Sequence, residues 1–153
     1  MFRTPARLFR VLAVAEAITW TLLISALIAR ALGATPLTVT IAGGIHGFVF
    51  LSYGATAILV ALNQRWAVGV GVVTVVSAIV PYATIPVEIW LARSNRLEGA
   101  WRLEQTDDPR DAFWIDRLMR WFLQRAWVLA LLIAVAIIGL YVALLIMGPP
   151  GGR

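Results

Sequence analysis

Three side chains that could take part in chemistry interrupt long apolar stretches of this chain. Glu16 lies within residues 11–29, while His46, the single histidine, and Tyr53 lie within residues 39–62. An ionisable group inside a lipid bilayer costs at least about 2 kcal/mol when it has no partner, and it marks either a function or a buried pair. The sequence therefore predicts a buried polar cluster that is structural or functional.

Depth along the predicted helices brings these groups to similar levels. At about 1.5 Å per residue, Glu16 lies between the levels of His46 and Tyr53 on the next helix. Trp20 and Pro81 come near the level of His46 and complete the predicted cluster. A hydrogen bond from Glu16 to His46 or Tyr53 is the structural interpretation. A proton-coupled or ligand-binding role is the functional one.

The composition excludes several classes of site. The 153 residues include no cysteine and no lysine, which removes disulfides, thiolate metal sites, Schiff-base chemistry and the lysine of a P-loop. No Ser-His-Asp set, carboxylate pair or metal cluster is evident, so no catalytic, cofactor-binding or metal-binding residue is predicted. We expect a protein that is not an enzyme. One histidine could hold haem only between two copies, which is a weaker alternative.

The elements that must position the cluster are membrane helices. Hydrophobic residues make up 61% of the chain, and the mean hydropathy is +0.85, whereas soluble domains are about 45–50% apolar. The sequence predicts an all-α polytopic membrane bundle, a single domain with four transmembrane helices over about 8–32, 39–62, 66–91 and 126–147. A signal peptide is the alternative for the first stretch, but that stretch exceeds the usual apolar core of about 7–15 residues.

A polar connection precedes the fourth predicted span. Residues 92–111 carry mixed charge, which is typical of a solvated loop. Residues 111–125 are predicted to form an interfacial amphipathic helix, with a tryptophan-rich face opposite Arg117 and Arg120. Asp116 is placed to pair with Arg120 one turn on.

Glu88 differs from the buried cluster because it lies near the predicted end of the third span. There it is level with Arg30 at the end of the first span and close to Arg93. The sequence predicts an interfacial ion pair that joins Glu88 to these arginines.

Four spans would place both termini on one side of the membrane. Counted by this topology, the terminal side carries Arg3, Arg7, Arg10, Arg65 and Arg153, and most other arginines lie on the opposite side. The positive-inside rule then puts loop 92–111 in the cytoplasm and both termini outside. The expected location is the bacterial inner membrane.

A family resemblance rests on a small set of residues. These are Glu16 with Trp20, the pattern His-Gly-x-x-Phe-x-x-Tyr over 46–53, Pro81, and Glu88 with Trp90. In them the chain resembles a family of small bacterial integral membrane proteins classed as domain of unknown function 3817. The resemblance covers about residues 9–91. It implies an inner-membrane location and a helical fold, with no assigned activity.

Two functions remain open on the sequence. The first is a non-enzymatic small subunit or scaffold that packs as a homo-oligomer or with a larger membrane complex, since Gly43, Gly47 and Gly54 let a neighbouring helix approach closely. The alternative is a small proton- or cation-coupled transporter that uses Glu16, with prolines breaking the third span. The lipid bilayer is the expected partner. Nucleic acid is not, because arginines that flank spans are topology signals.

Overall fold

Two long helices open the structure. The computed structural model describes residues 4–147, whose regular elements are helices joined by turns and loops, with no β-strand among them. Helix α1 covers Pro5–Ala31 and helix α2 covers Pro36–Asn63, with Gly33 at a φ of +100° in the turn between them. Each helix starts at a proline, whose missing N–H removes no helical hydrogen bond there. Both are long and apolar enough to cross a membrane, which confirms the first two predicted spans.

The segment after α2 doubles back. The elements in order are α3 over Val68–Val76, a 3₁₀ turn over Ser77–Ile79, and α4 over Thr84–Arg93. The indole N–H of Trp66, ahead of α3, donates to the carbonyl of Arg96, beyond α4, at 2.8 Å. A continuous helix over 66–91 would hold its ends about 39 Å apart. The predicted third span was therefore wrong, and we call α3 and α4 together the hairpin.

Two prolines explain the reversal of the hairpin. Pro81 lies in the turn, where Tyr82 has a φ of +64°, a left-handed conformation that L residues seldom adopt. Pro86 lies in the first turn of α4, where a backbone N–H has no helical acceptor and its absence costs nothing. The sequence predicts that each proline bends one helix. In the structure, they separate two helices.

The polar segment after α4 folds over the end of the bundle where α1 begins and α2 ends. The Asn63 amide donates to the carbonyl of Ala100 at 3.2 Å, and the Arg102 guanidinium donates to the carbonyls of Leu62 and Asn63 at 2.7 and 2.8 Å. These bonds satisfy terminal carbonyls of α2. The prediction that loop 92–111 lies opposite the N-terminus was therefore wrong. We call this end, including residues 92–125, the arginine-rich end.

Two further helices complete the described chain. Helix α5 covers Trp114–Gln124 and helix α6 covers Ala126–Met147, and they meet at an angle of 92°. Helix α6 starts at the arginine-rich end, because the Gln124 amide donates to the carbonyl of Leu103 at 3.0 Å. The bent pair supplies at most one more crossing. Residues 4–147 thus hold two clear membrane-length helices and up to three, not the four predicted.

A small apolar core joins the hairpin to α1 and α2. The Phe9 side chain is fully buried, and its ring centroid lies 5.3 Å from that of Tyr53 and 6.5 Å from that of Trp66. Leu91 and Leu97 belong to the same buried cluster. Because this core takes residues from both ends of the hairpin, it fixes the fold-back against the long helices.

Candidate functional site

Glu16 occupies the centre of the candidate site. Its side chain is fully buried on the inward side of α1. By hydrogen-bond geometry neither carboxyl oxygen has a partner within residues 4–147, although the indole N–H of Trp20 lies near the carboxyl. Buried polar groups in native proteins are almost always satisfied, so an orphaned carboxyl calls for a specific explanation.

His46 bonds to a different residue of α1. Its Nδ1 lies 3.1 Å from the hydroxyl of Thr19, and that hydroxyl donates to the carbonyl of Glu16 at 3.0 Å. A hydroxyl has one proton to donate, so its bond to the carbonyl of Glu16 goes with a His46 that carries its proton on Nδ1, and the other tautomer would take the Thr19 proton instead. The ring of Trp20 covers the imidazole with centroids 4.6 Å apart. The predicted hydrogen bond between Glu16 and His46 was therefore wrong, because Thr19 occupies the position that depth alone assigned to Glu16.

The hydroxyl of Tyr53 also forms its hydrogen bonds with residues other than Glu16. Its hydroxyl lies 3.2 Å from the carbonyl of Thr74 and 3.1 Å from the hydroxyl of Ser77, both in the hairpin. The carboxyl of Glu16 forms no hydrogen bond to Tyr53. Tyr53 thus holds the hairpin in place, and the predicted bond from Glu16 to Tyr53 was wrong as well.

Side chains of α1 and α4 also secure the turn of the hairpin. The Trp20 indole donates to the carbonyl of Ala78 at 3.2 Å, and the Thr84 hydroxyl donates to the carbonyl of Ala13 at 3.0 Å. Carbonyls freed where a helix breaks at membrane depth need such partners. The structure thus brings Glu16, Trp20, His46 and Tyr53 together. Pro81 is exposed in the turn and does not join the predicted cluster.

The interfacial ion pair has a different partner from the one predicted. The carboxylate of Glu88 accepts from the guanidinium of Arg10 at 2.7 Å. Arg30 instead donates to the carbonyl of Ala34 at the opposite end of α1, and Arg93 is exposed, with no ion pair among the described residues. The reversal of the hairpin explains the error, since α4 runs back toward the start of α1.

A second polar site, which the sequence suggested only as a solvated loop, lies at the arginine-rich end. Asp111 is buried, and its carboxylate accepts from Arg65 at 2.7 Å, Arg102 at 2.9 Å, and the backbone and hydroxyl of Thr106 at 2.9 and 2.7 Å. Arg102 also pairs with Asp116 at 3.0 Å. Asp116 therefore does not pair with Arg120 as predicted. We call these ion pairs the loop network.

The loop network predicts a specific acid response. Hydrogen bonds from Thr106 lower the pKa of Asp111 below its ordinary 3.8, and hydrogen bonds from Arg110 lower that of Asp108. A carboxyl with a depressed pKa stabilises the fold above its unfolded pKa and loses that contribution as the pH falls through its folded pKa. We expect hydrogen-exchange protection of residues 100–112 to hold from pH 7 to about 4 and to fall below that, after correction for intrinsic exchange.

The matched variants for this acid response are Asp111→Asn and Glu104→Gln. Asp111→Asn removes the charge that Arg65, Arg102 and Arg120 surround, so the loop should lose protection already at pH 7. Glu104 is exposed and outside the network, and its variant should behave as the parent. Protection that disappears between pH 7 and 5 in the parent would instead assign the response to another group.

No ligand set for a metal accompanies these polar sites. Within residues 4–147, no three histidine, cysteine or acidic side chains converge on a common point.

One family profile matches the part of the chain that holds both long helices and the hairpin. The sequence profile of DUF3817, described as a domain of unknown function, matches residues 6–93. This confirms the resemblance seen over residues 9–91. A Streptomyces coelicolor protein described as a membrane protein is 34% identical over 105 residues. That match covers 67% of this chain and 12% of the relative, so the chain spans about an eighth of the relative's length. No solved structure matches.

Proposed function

Because the chain belongs to the DUF3817 family, a membrane family of unknown function, we propose its role from geometry: a non-enzymatic subunit or scaffold that packs with itself or with a larger membrane protein. The length of the relative supports this proposal. In the Streptomyces coelicolor protein, the matching segment is part of a much longer membrane chain. The matching segment of that relative thus lies within a larger membrane protein, which is the kind of assembly that we propose for this chain.

The observation that carries the proposal is an uncovered face of α2. A Cβ atom added at Gly43, Gly44 or Gly47 would meet nothing within 4 Å. The glycine side of α2, expected to pack closely against a neighbour, therefore has no neighbour within residues 4–147. Association between membrane helices depends on close van der Waals packing, which small residues four apart permit. This face is suited to a helix from another chain.

The test compares bulky substitutions on two faces. Gly43→Leu and Gly47→Leu should remove a stoichiometric protein partner, or a second copy, from the tagged protein extracted gently from its own membrane and weighed by native mass spectrometry. Gly69→Leu is the matched control, since that glycine also faces open space but lies on α3, and it should retain the partner. A parent protein that is monomeric and free of partners contradicts the proposal.

A second candidate, a small proton- or cation-coupled transporter, is favoured by the carboxyl of Glu16. An unpaired ionisable side chain at membrane depth is a functional site by default. The hairpin that packs against α1 is a pair of short helices, and transporters use such interrupted helices at their binding sites. In this candidate, Glu16 takes up and releases a proton or a small cation.

Vesicles with an internal pH dye test the transporter candidate without a known substrate. Under an imposed pH gradient, the parent should conduct protons and Glu16→Gln should not. Glu88→Gln is the control, since that carboxylate is already neutralised by Arg10 at the surface, and it should conduct as the parent does. No flux in the parent, or equal flux in Glu16→Gln, removes the candidate.

We propose an orientation that takes the fold-back into account. At the arginine-rich end lie ten of the eleven described arginines, namely Arg7, Arg10, Arg65, Arg93, Arg96, Arg102, Arg110, Arg117, Arg120 and Arg125. The other end has Arg30, and Arg3 and Arg153 lie outside the described residues. The positive-inside rule favours the arginine-rich end in the cytoplasm of an inner-membrane protein. This keeps loop 92–111 cytoplasmic and moves the start of α1 to the same side, with α6 as a third span.

Single cysteines check this orientation directly, because the chain has none of its own. We expect a membrane-impermeant maleimide added to intact spheroplasts to label a cysteine at Ala34 and to leave Gln64 and Thr106 unlabelled until the membrane is broken. Each cysteine should be either labelled or unlabelled in intact spheroplasts, with no intermediate level. Opposite labelling of Gln64 and Thr106 would contradict the fold-back itself, while labelling of both in intact cells would reverse the orientation only.

A further inference from the structure

The acidic residues beside α5 all turn toward the protein. Asp111, just before the helix, pairs with Arg65 and Arg102, and Asp116 pairs with Arg102. Met119 and Arg120 are buried on the same inward side. The negative charge of this segment is therefore neutralised internally.

The outward side of α5 carries exposed tryptophan and unpaired positive charge. Trp114 is 70% exposed, and Trp121 lies on the same side of the helix. Arg117 and Arg125 are exposed and form no ion pair among the described residues. The guanidinium of Arg125 stacks over the ring of Trp121 at 5.3 Å. Tryptophan beside unpaired arginine is the combination that favours the boundary between acyl chains and headgroups.

The arginine-rich end as a whole also carries an excess of positive charge. Ten arginines there face seven acidic residues, which leaves an excess of three positive charges. Five of the arginines, namely Arg7, Arg93, Arg96, Arg117 and Arg125, have no carboxylate partner among the described residues, and the unpaired acids are Glu98, Glu104 and Asp107. The net uncompensated charge beside the exposed tryptophans is positive.

The angle between α5 and α6 fits a lipid surface. The two helices meet at 92°, so α5 lies in the membrane plane if α6 crosses the bilayer. This step rests on the third span of the proposed topology. A helix in that plane places Arg117 and Arg125 at the level of phosphate groups.

We propose that the outward side of α5, with Arg117 and Arg125, is a binding surface for anionic phospholipid headgroups of the cytoplasmic leaflet. The planar guanidinium group donates two parallel hydrogen bonds to a phosphate, which an ammonium cannot do. Each arginine near an anionic surface strengthens binding about fivefold. The ligand is recognised by its net negative charge, which phosphatidylglycerol has and zwitterionic phosphatidylcholine lacks.

Native mass spectrometry from micelles doped with equal phosphatidylglycerol and phosphatidylcholine tests the proposal. We expect the parent to retain phosphatidylglycerol preferentially and the Arg117→Gln/Arg125→Gln variant to lose at least about tenfold of that preference. The control Arg30→Gln, at the other end of the bundle, should match the parent. The preference of the parent should also fall in high salt, since exposed charges are screened.

Each contrary outcome overturns the proposal. These are equal retention of the two lipids by the parent, an unchanged preference in the double variant, an equal loss in Arg30→Gln, or a stoichiometric protein on α5 in place of lipid. If the glutamine variant does not fold, the lipid preference of Arg117→Lys/Arg125→Lys and the salt dependence of the parent serve as the test. A preference for phosphatidylglycerol that high salt leaves unchanged contradicts the proposal. These readouts require neither transport nor a protein partner, so failure here is distinguishable from failure of the proposed function.

Discussion

Replacing Phe9 by alanine is expected to lower the free energy of unfolding by about 3–5 kcal/mol, as for other large aromatic residues truncated in a core. Phe9 is fully buried and contacts Tyr53 and Trp66, so it joins α1 to α2 and to the start of the hairpin. Leu97, beyond the far end of the hairpin, lies in the same cluster. The cavity would therefore open where both ends of the hairpin meet the long helices.

Reversible unfolding of the purified protein in mixed micelles measures this loss. Val11→Ala is the matched control because Val11 lies on the same helix but is 46% exposed, and it should cost less than about 0.5 kcal/mol. The Phe9 variant should in addition lose hydrogen-exchange protection at residues 94–100. Equal losses for the two variants would mean that the hairpin is not held by this core.

Replacing Glu16 by methionine is expected to have the opposite sign and to raise the free energy of unfolding by about 1–3 kcal/mol, the usual cost of a buried polar group without a partner. Methionine is unbranched and adapts to the space of a glutamate side chain. The same variant should abolish any proton flux that depends on the carboxyl.

Thr19→Val provides the contrast for this prediction. The Thr19 hydroxyl bonds both to His46 and to the carbonyl of Glu16, so its loss should cost about 1 kcal/mol. The Thr19 hydroxyl, which has partners, is thus expected to stabilise the fold, and the Glu16 carboxyl, which has none, is expected to destabilise it. A Glu16→Met variant that unfolds more easily than the parent would show that the carboxyl has a partner after all.

A stabilising substitution at Glu16 would have a functional meaning. Groups that reduce stability persist where activity requires them. If Glu16→Met gains stability and leaves partner binding intact while proton flux stops, the transporter candidate is supported. If partner binding is lost instead, the variant has altered the packing inside the bundle on which the subunit interface depends.

The sequence predicts α1 and α2 well because a membrane span is a local property. About 20 apolar residues are sufficient, and both segments satisfy this without reference to the rest of the chain. Residues 66–91 satisfy it as well, yet they form the hairpin. The fold-back depends on distant partners, such as the bond from Trp66 to Arg96. The prolines indicate a break but not the direction in which the chain leaves it.

Pairing inside the bundle could be predicted only in part. Counting residues along helices gives depth, and depth does bring Glu16, His46 and Tyr53 into one region. It does not tell which side of α1 faces α2. Thr19, the actual partner of His46, lies three positions after Glu16. The partner of Glu88 depends on the direction of α4, so the error about the hairpin carried over to Arg30 and Arg93.

The hairpin also constrains the order in which the protein is made. Carbonyls at its turn are satisfied by Trp20 and Tyr53, which belong to the two helices synthesised before it. Hydrocarbon offers no substitute for such donors. We therefore expect the hairpin to settle at membrane depth after α1 and α2 have paired, with the first helical pair serving as the template for the second.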